Sequence, residues 1–226
     1  LNAKESANKS SVLILGYAIE LLLKSGIVSL LINAPKKLLE KKVKSYSHNL
    51  LNIALDLHFS LSNEEHYLLE VLGGYIIRET RYPVTPISIN DYCNQVNQIT
   101  NFISSEENFA LGVQLFERLR SFIKDIDGTP DNVKFHSRME MEENGYITFR
   151  VGGCLPPVFI LKFCQSQISA GIATIETVKS LLIEKNKVNK SIHSNLMEKY
   201  WDKAIFYIVD DKNGLKIAAI DKSNYQ

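Results

Sequence analysis

The sequence contains no C-x-x-C pair and few cysteines, Cys93, Cys154 and Cys164. An odd number leaves one thiol over in any disulfide framework, and the spacing fits no zinc site, so no metal or other cofactor is expected. An excess of charge of either sign is also missing: 26 Lys+Arg face 25 Asp+Glu. That balance excludes the strongly basic footprint of nonspecific phosphate binding, and any contact with nucleic acid must be local. Long hydrophobic runs are absent too. The most apolar stretch, Val12 to Leu23, is broken by Glu20 and closed by Lys24. It is too short and too charged to span a bilayer, so it is read as a buried helix with no membrane partner. No basic leader with a small-residue cleavage site and no initiating Met opens the chain, which is read as beginning inside a longer one. Together these absences point to a reducing, cytoplasmic setting. No internal repeat or low-complexity tract is found.

What is there is an ordinary globular composition, 45% hydrophobic and 23% charged, sufficient for a real core. Good helix formers run from Ala3 to Ser25 with apolar residues on nearly every side, as in a helix buried in a bundle or a subunit interface. Pro35 suits a first helical turn before the lysine-rich segment Lys36 to Lys44, whose charge is read as phosphate attraction or as a solvated face. Ser47 is a candidate cap for the helix carrying Leu50, Leu51, Ile53, Ala54 and Leu57. Ser62 with Glu65 reads as a capping box before a helix from Tyr67 to Tyr82, which Pro83 ends. Inside it, Gly73-Gly74 costs helix stability and implies close packing or a kink. Ser88 with Asp91 opens the last helical stretch, whose periodicity runs from Val96 through Phe109, Phe116 and Leu119 to Phe122.

At Gly128-Thr129-Pro130-Asp131 the texture changes from helical to strand-like. Val133 to Met141 and Tyr146 to Val151 flank Glu143-Asn144-Gly145, a hairpin signal in which Asn-Gly supplies positive φ. Val158 to Leu161 is a further strand, Gly171 to Lys187 and Ser191 to Trp201 are helical, and Ile205 to Val209 pairs with Leu215 to Ile220 around Asn213-Gly214. The fold class expected is α+β: an N-terminal up-down α-helical bundle over residues 1–127, followed by a smaller α+β region with β-hairpins over 128–226. Trp201, with Tyr200 and Phe206, is read as core packing.

Three segments carry a resemblance. Ala18-Ile19-Glu20-Leu21-Leu22-Leu23-Lys24 is similar to an "A-x-E-x-x-L-K" helix, Ser47-His48-Asn49-Leu50 to "G-H-D-L", and Tyr75-Ile76-Ile77-Arg78-Glu79-Thr80-Arg81-Tyr82-Pro83 to "Y-I-x-x-R-Y-P". In order and spacing they resemble the HEPN domain family, the "higher eukaryotes and prokaryotes nucleotide-binding" domains, over a little more than half the chain. The resemblance implies a four- or five-helix bundle that forms a homodimer with polar residues lining a cleft at the junction. It further implies RNA cleavage or nucleotide binding, in bacterial antiviral defence or toxin–antitoxin systems. Nuclease members place an Arg four to six residues before a His. No Arg stands there before His48, His58, His66, His136 or His193, which removes the standard route to cleavage.

Metal-free RNA cleavage needs a proton carrier and a cation that stabilises charge building on the phosphate. Tyr75, Arg78 and Tyr82 fall at i, i+3 and i+7 with Arg81 beside them. This set can grip a phosphate, yet nothing in it titrates near neutral pH. The phosphate-binding candidates are Lys24, Tyr75, Arg78 and Arg81, and the catalytic candidates are His48 and Arg81, with His48 as the missing proton carrier. Against these stand quieter roles: His48 capping its own helix, Arg78 and Arg81 pairing with Glu70 or Glu79, and Glu20–Lys24 as a surface salt bridge. The expected function is binding of a nucleotide or RNA phosphate by the helical part, with a protein partner for residues 128–226. The alternatives are a metal-independent ribonuclease with a non-standard site and a noncatalytic dimerisation scaffold joined through the first helix.

Overall fold

The computed structural model describes residues 3–80, 88–90, 93, 94, 97, 101, 105–188, 191–210 and 212–218, without the side chains of 3–8, 78–80 and 186. The expected helix start at Ser88 and Asp91, and most of the periodic stretch up to Ile103, therefore fall largely outside the described residues. The chain is mixed α+β: among the described residues, its elements up to residue 126 are helical and its strands all lie beyond it. It forms two compact units, Leu1–Val28 with Val43–Lys124, and Ser29–Lys42 with Asp125–Gln226. This division differs from a cut between 127 and 128, because 29–42 belongs with the second unit. Side-chain bonds show why: Ser29 Oγ donates to Asp127 at 2.9 Å, Asn33 Nδ2 to the Phe149 carbonyl at 3.2 Å and Lys41 Nζ to the Lys212 carbonyl at 3.2 Å.

The described helices of the first half are α1 (Ala3–Leu30), α2 (Lys36–Ser45), α3 (Leu50–Asp56), α4 (Asn63–Thr80) and α5 (Glu106–Ile126). α1 runs past Ser25 to Leu30 because Gly26 is a packing position rather than a breaker: a Cβ there would lie 2.8 Å from both Leu57 and Ile123. Ile19, Leu23 and Ile27 are fully buried along it. The expectation of a stretch too short and too charged to span a bilayer is corrected: Lys9–Leu30 is long and apolar enough to cross a membrane, with Ile19, Leu23 and Ile27 buried and Ile14 and Leu21 exposed along it. The capping box at α4 forms, with Ser62 N donating to Glu65 Oε2 at 2.8 Å and Glu65 N to Ser62 Oγ at 3.3 Å. The cap of α3 is Asn49 rather than Ser47: Asn49 Oδ1 accepts from Asn52 N at 3.0 Å. Ser47 sits instead at φ 50° in the preceding turn.

In the second half a short pair, β1 (Gly128–Thr129) and β2 (Asn132–Val133), turns the chain at the Pro130-Asp131 signal. A sheet of β3 (Phe135–Glu140), β4 (Tyr146–Val151), β5 (Val158–Lys162), β6 (Ile205–Asp210) and β7 (Gly214–Ile217) follows, ordered as numbered. All neighbours are antiparallel except β5 and β6. A parallel pair requires a crossover, which α6 (Gln165–Ser169), α7 (Ile175–Val188) and α8 (Ile192–Tyr200) supply. α6 is a helix the sequence reading missed. The β3–β4 turn places positive φ at Glu143 and Asn144, one residue earlier than Asn144-Gly145. Gly145 is needed for room, since a Cβ there would lie 2.6 Å from Cys164 Sγ. Ile147, Phe149, Phe159, Val178, Met197 and Phe206 belong to the core. Trp201 lies in it, its ring 4.9 Å from Phe159 and 4.8 Å from Phe206.

Candidate functional site

Of the three segments behind the resemblance, the first two are bonded to each other in the first unit, and Ile77 of the third lines a cavity with His48 of the second. α1 presents Glu20 and Lys24 one turn apart, with Lys24 Nζ donating to Glu20 Oε1 at 2.5 Å. The left-handed Ser47 redirects the chain before α3, a conformation that costs a non-glycine residue energy and is held here by its surroundings. Its carbonyl accepts from Lys24 Nζ at 2.7 Å. The next residue, His48, then reaches α1, and Nδ1 lies 2.8 Å from Glu20 Oε2. Glu20 is 5% and His48 8% exposed. A buried carboxylate thus holds two partners, one oxygen each, and cancels the lysine charge locally.

An ionised carboxylate only accepts, so the Glu20 bond fixes the ring hydrogen on Nδ1 and leaves Nε2 as the ring's second polar position. His48 also lines a cavity of about 260 Å³ with Asn49, Asn52, Glu70, Gly73 and Ile77. The α4 wall is set by Gly73, where a Cβ would stand 2.6 Å from the His48 carbonyl. Gly74 meets nothing within 4 Å. The close packing read from the Gly-Gly pair therefore belongs to Gly73 alone.

This contrast gives a prediction of sign. Gly73→Ala must displace a backbone carbonyl and is expected to cost about 1–3 kcal/mol. Gly74→Ala gains helix propensity without a clash and should stabilise by about 0.5–1 kcal/mol. Urea unfolding followed by far-UV circular dichroism measures both. Equal effects would contradict the close approach of α4 to His48.

Several candidate residues stand differently from expectation. Tyr75 does not face an open groove: it is 2% exposed and its hydroxyl donates to the Lys9 carbonyl at 3.2 Å. Lys24 is committed to Glu20 and Ser47 rather than held free for a phosphate. His48 neither caps nor bonds through its ring to its own helix; Asn49 does the capping. Arg78 lies one turn beyond Gly74 on α4, but its side chain, and Arg81 altogether, are outside the described residues. What the sequence reading missed is Glu20 as the partner of His48. The signal was present, an acid inside the most apolar helix, which must find a partner when buried.

No group of His, Cys, Asp and Glu among the described residues has the arrangement of a metal site. No protein-family model, curated protein or solved structure matches this chain.

Proposed function

We propose that the first unit is a HEPN-like helical module that binds the phosphate of a nucleotide or of RNA at the His48 cavity, in a bacterial defence or toxin–antitoxin setting. One observation carries the reading. Segments far apart in sequence, each chosen for its likeness to that family, are joined by the Glu20–His48 and Lys24–Ser47 bonds, beside a cavity that Gly73 and Ile77 of α4 also line. Because Glu20 neutralises Lys24, the cation that grips the phosphate falls to Arg78 and Arg81, four and seven residues after Gly74. His48 Nε2, Asn49 and Asn52 supply the polar contacts.

A panel of nucleotides and short RNA tests this in a thermal-shift assay. A ligand at about a hundred times its Kd stabilises the native state by about 2.7 kcal/mol. The shift is expected in the wild type and is expected to shrink in His48→Ala and in the Arg78→Ala, Arg81→Ala double variant. A panel in which no member raises the melting temperature rejects the reading.

The Glu20–His48 pair also favours the ribonuclease alternative, since a carboxylate that orients an imidazole is the usual support of a general base. Labelled RNA incubated in EDTA separates the two: cleavage lost in His48→Ala and Arg81→Ala supports the enzyme, and binding without cleavage supports the module. Dimerisation through α1 belongs to the same proposal. Ile14 and Leu21 stand one heptad apart and are 68% and 69% exposed. Light scattering should report a dimer that Leu21→Glu dissociates; a monomeric wild type removes the dimer and leaves the phosphate reading in place.

A further inference from the structure

We propose that the second unit binds an extended, basic–aliphatic peptide segment of a partner protein, which adds to the sheet along β3 and seats an aliphatic side chain in the groove between β3 and α7. The proposal is independent of the phosphate reading of the first unit.

The strand comes first. β3 ends the sheet order and, among the described residues, pairs with β4 alone. Met141 N donates to the Gly145 carbonyl at 2.8 Å, which sets the phase of the ladder. Phe135, Ser137 and Met139 turn their backbone groups to β4, and His136, Arg138 and Glu140 turn theirs to the free edge. Such an edge is a template for another strand. Arg138 and Glu140 pair along it at 2.6 Å, and charges of this kind oppose accidental edge-to-edge pairing.

The groove comes second. A cavity of about 400 Å³ has Met139, Met141, Ile172, Val178, Leu181 and Leu182 in its walls, a size and apolar lining typical of ligand sites. Two of the chain's three methionines are there, and Met side chains adapt to irregular apolar guests. α7 lines the groove from Thr177 to Lys185, which is about 12 Å of helix and the length of about four extended residues. Ile172 and Leu181 are 49% and 42% exposed, so an apolar anchor has surface to cover.

Charge selects the partner. Glu142 and Glu184 border the cavity, opposed by Lys185. Glu143 adds a third carboxylate nearby, its Oε2 accepting from the amide of Ser166, itself a lining residue. The Cys164 thiol in the same wall is held above its ordinary pKa by burial and by the charges of Glu143 and Glu142, so it stays neutral and adds no reactive group. Three acids against one lysine favour Lys or Arg beside the aliphatic anchor.

The test uses the full chain and fluorescein-labelled acetyl-KVLVK-amide as probe, read by anisotropy. Saturable binding is expected, at least about tenfold tighter than for acetyl-EVLVE-amide. Methylating the peptide's backbone nitrogens on one edge should weaken it by about tenfold or more, since strand addition rests on main-chain hydrogen bonds. Leu181→Lys and Glu184→Lys, both at solvent-facing positions, should each lose binding while circular dichroism is unchanged. Amide resonances of His136, Arg138 and Glu140 should move on titration. Equal binding of the acidic or the N-methylated peptide, or no saturation by either peptide, overturns the proposal. So does occupancy by anilinonaphthalene sulfonate alone, which marks a small-molecule pocket, or self-association abolished by Leu181→Lys, which marks a contact between copies.

Discussion

Glu20→Ala is expected to destabilise the first unit by about 3 kcal/mol. Breaking a buried ion pair by deleting one partner costs about 3–5 kcal/mol, because the remaining charge keeps its desolvation penalty without its compensation. Here the lower end applies. Lys24 has 21% of its side chain exposed and keeps the Ser47 carbonyl as an acceptor, so water and backbone recover part of the loss. His48, at 8% exposure, recovers less, since its Nδ1–H is left facing an apolar helix. Glu20→Gln keeps the shape and one acceptor and should cost about half as much. A double-mutant cycle with His48→Ala should give a coupling of about 1–3 kcal/mol. Guanidinium unfolding followed by circular dichroism measures each term. A coupling near zero would mean that the Glu20–His48 contact contributes packing only, and the case for an oriented imidazole would fail with it.

Much of the fold could be read from sequence, for local reasons. Capping and turn chemistry act over a few residues, so Ser62–Glu65, Pro130-Asp131 and Asn213-Gly214 were legible as boundaries. The strand-like texture after Gly128 and the hairpin signal at Glu143-Asn144-Gly145 marked β3 and β4, and the long α1 was plain from composition. What was not legible depends on contacts between distant segments. Ser47 was a better cap by position than by outcome, because the left-handed turn sends its carbonyl to Lys24 and leaves the capping to Asn49. The segment 29–42 reads as part of the helical half, yet its Asn33 and Lys41 bond to the second unit.

The candidate site was half legible. Glu20, Lys24, Ser47 and His48 are bonded to one another, but the spacing of Tyr75, Arg78 and Tyr82 suggested one polar face, and tertiary packing turned the Tyr75 ring into the core. Glu20 was read as the partner of Lys24 alone. Periodicity reports which face of a helix is apolar; it is silent on which buried acid a histidine 28 residues away will find.

Arg150→Ala is expected to cost about 4 kcal/mol in the second unit, and it tests the opposite arrangement, a buried charge with no carboxylate bonded to it among the described residues. Arg150 is 1% exposed on β4. One terminal nitrogen donates to the Ile126 carbonyl at 2.6 Å and the other to the Gly152 carbonyl at 3.2 Å. Ile126 ends α5, and a cation on the last carbonyl of a helix is favoured by the helix dipole. Two effects oppose each other. Burial holds the guanidinium pKa below its ordinary value despite the nearby Asp127 charge, and Nε has no hydrogen-bond partner among the described residues; both say that burying this charge is costly. Against that, removing it strands two carbonyls, at about 1–3 kcal/mol each, and Ala also leaves a cavity. Arg150→Met separates the terms, since Met keeps most of the volume and loses only the donors: about 2 kcal/mol is expected for Met and about 4 for Ala. Trp201, the single tryptophan, is buried in the core of this unit, so its fluorescence in a urea titration follows the second unit specifically. If Arg150→Met proves as stable as wild type, the desolvation cost outweighs both carbonyl bonds, and Arg150 must be retained for something other than holding Ile126 and Gly152.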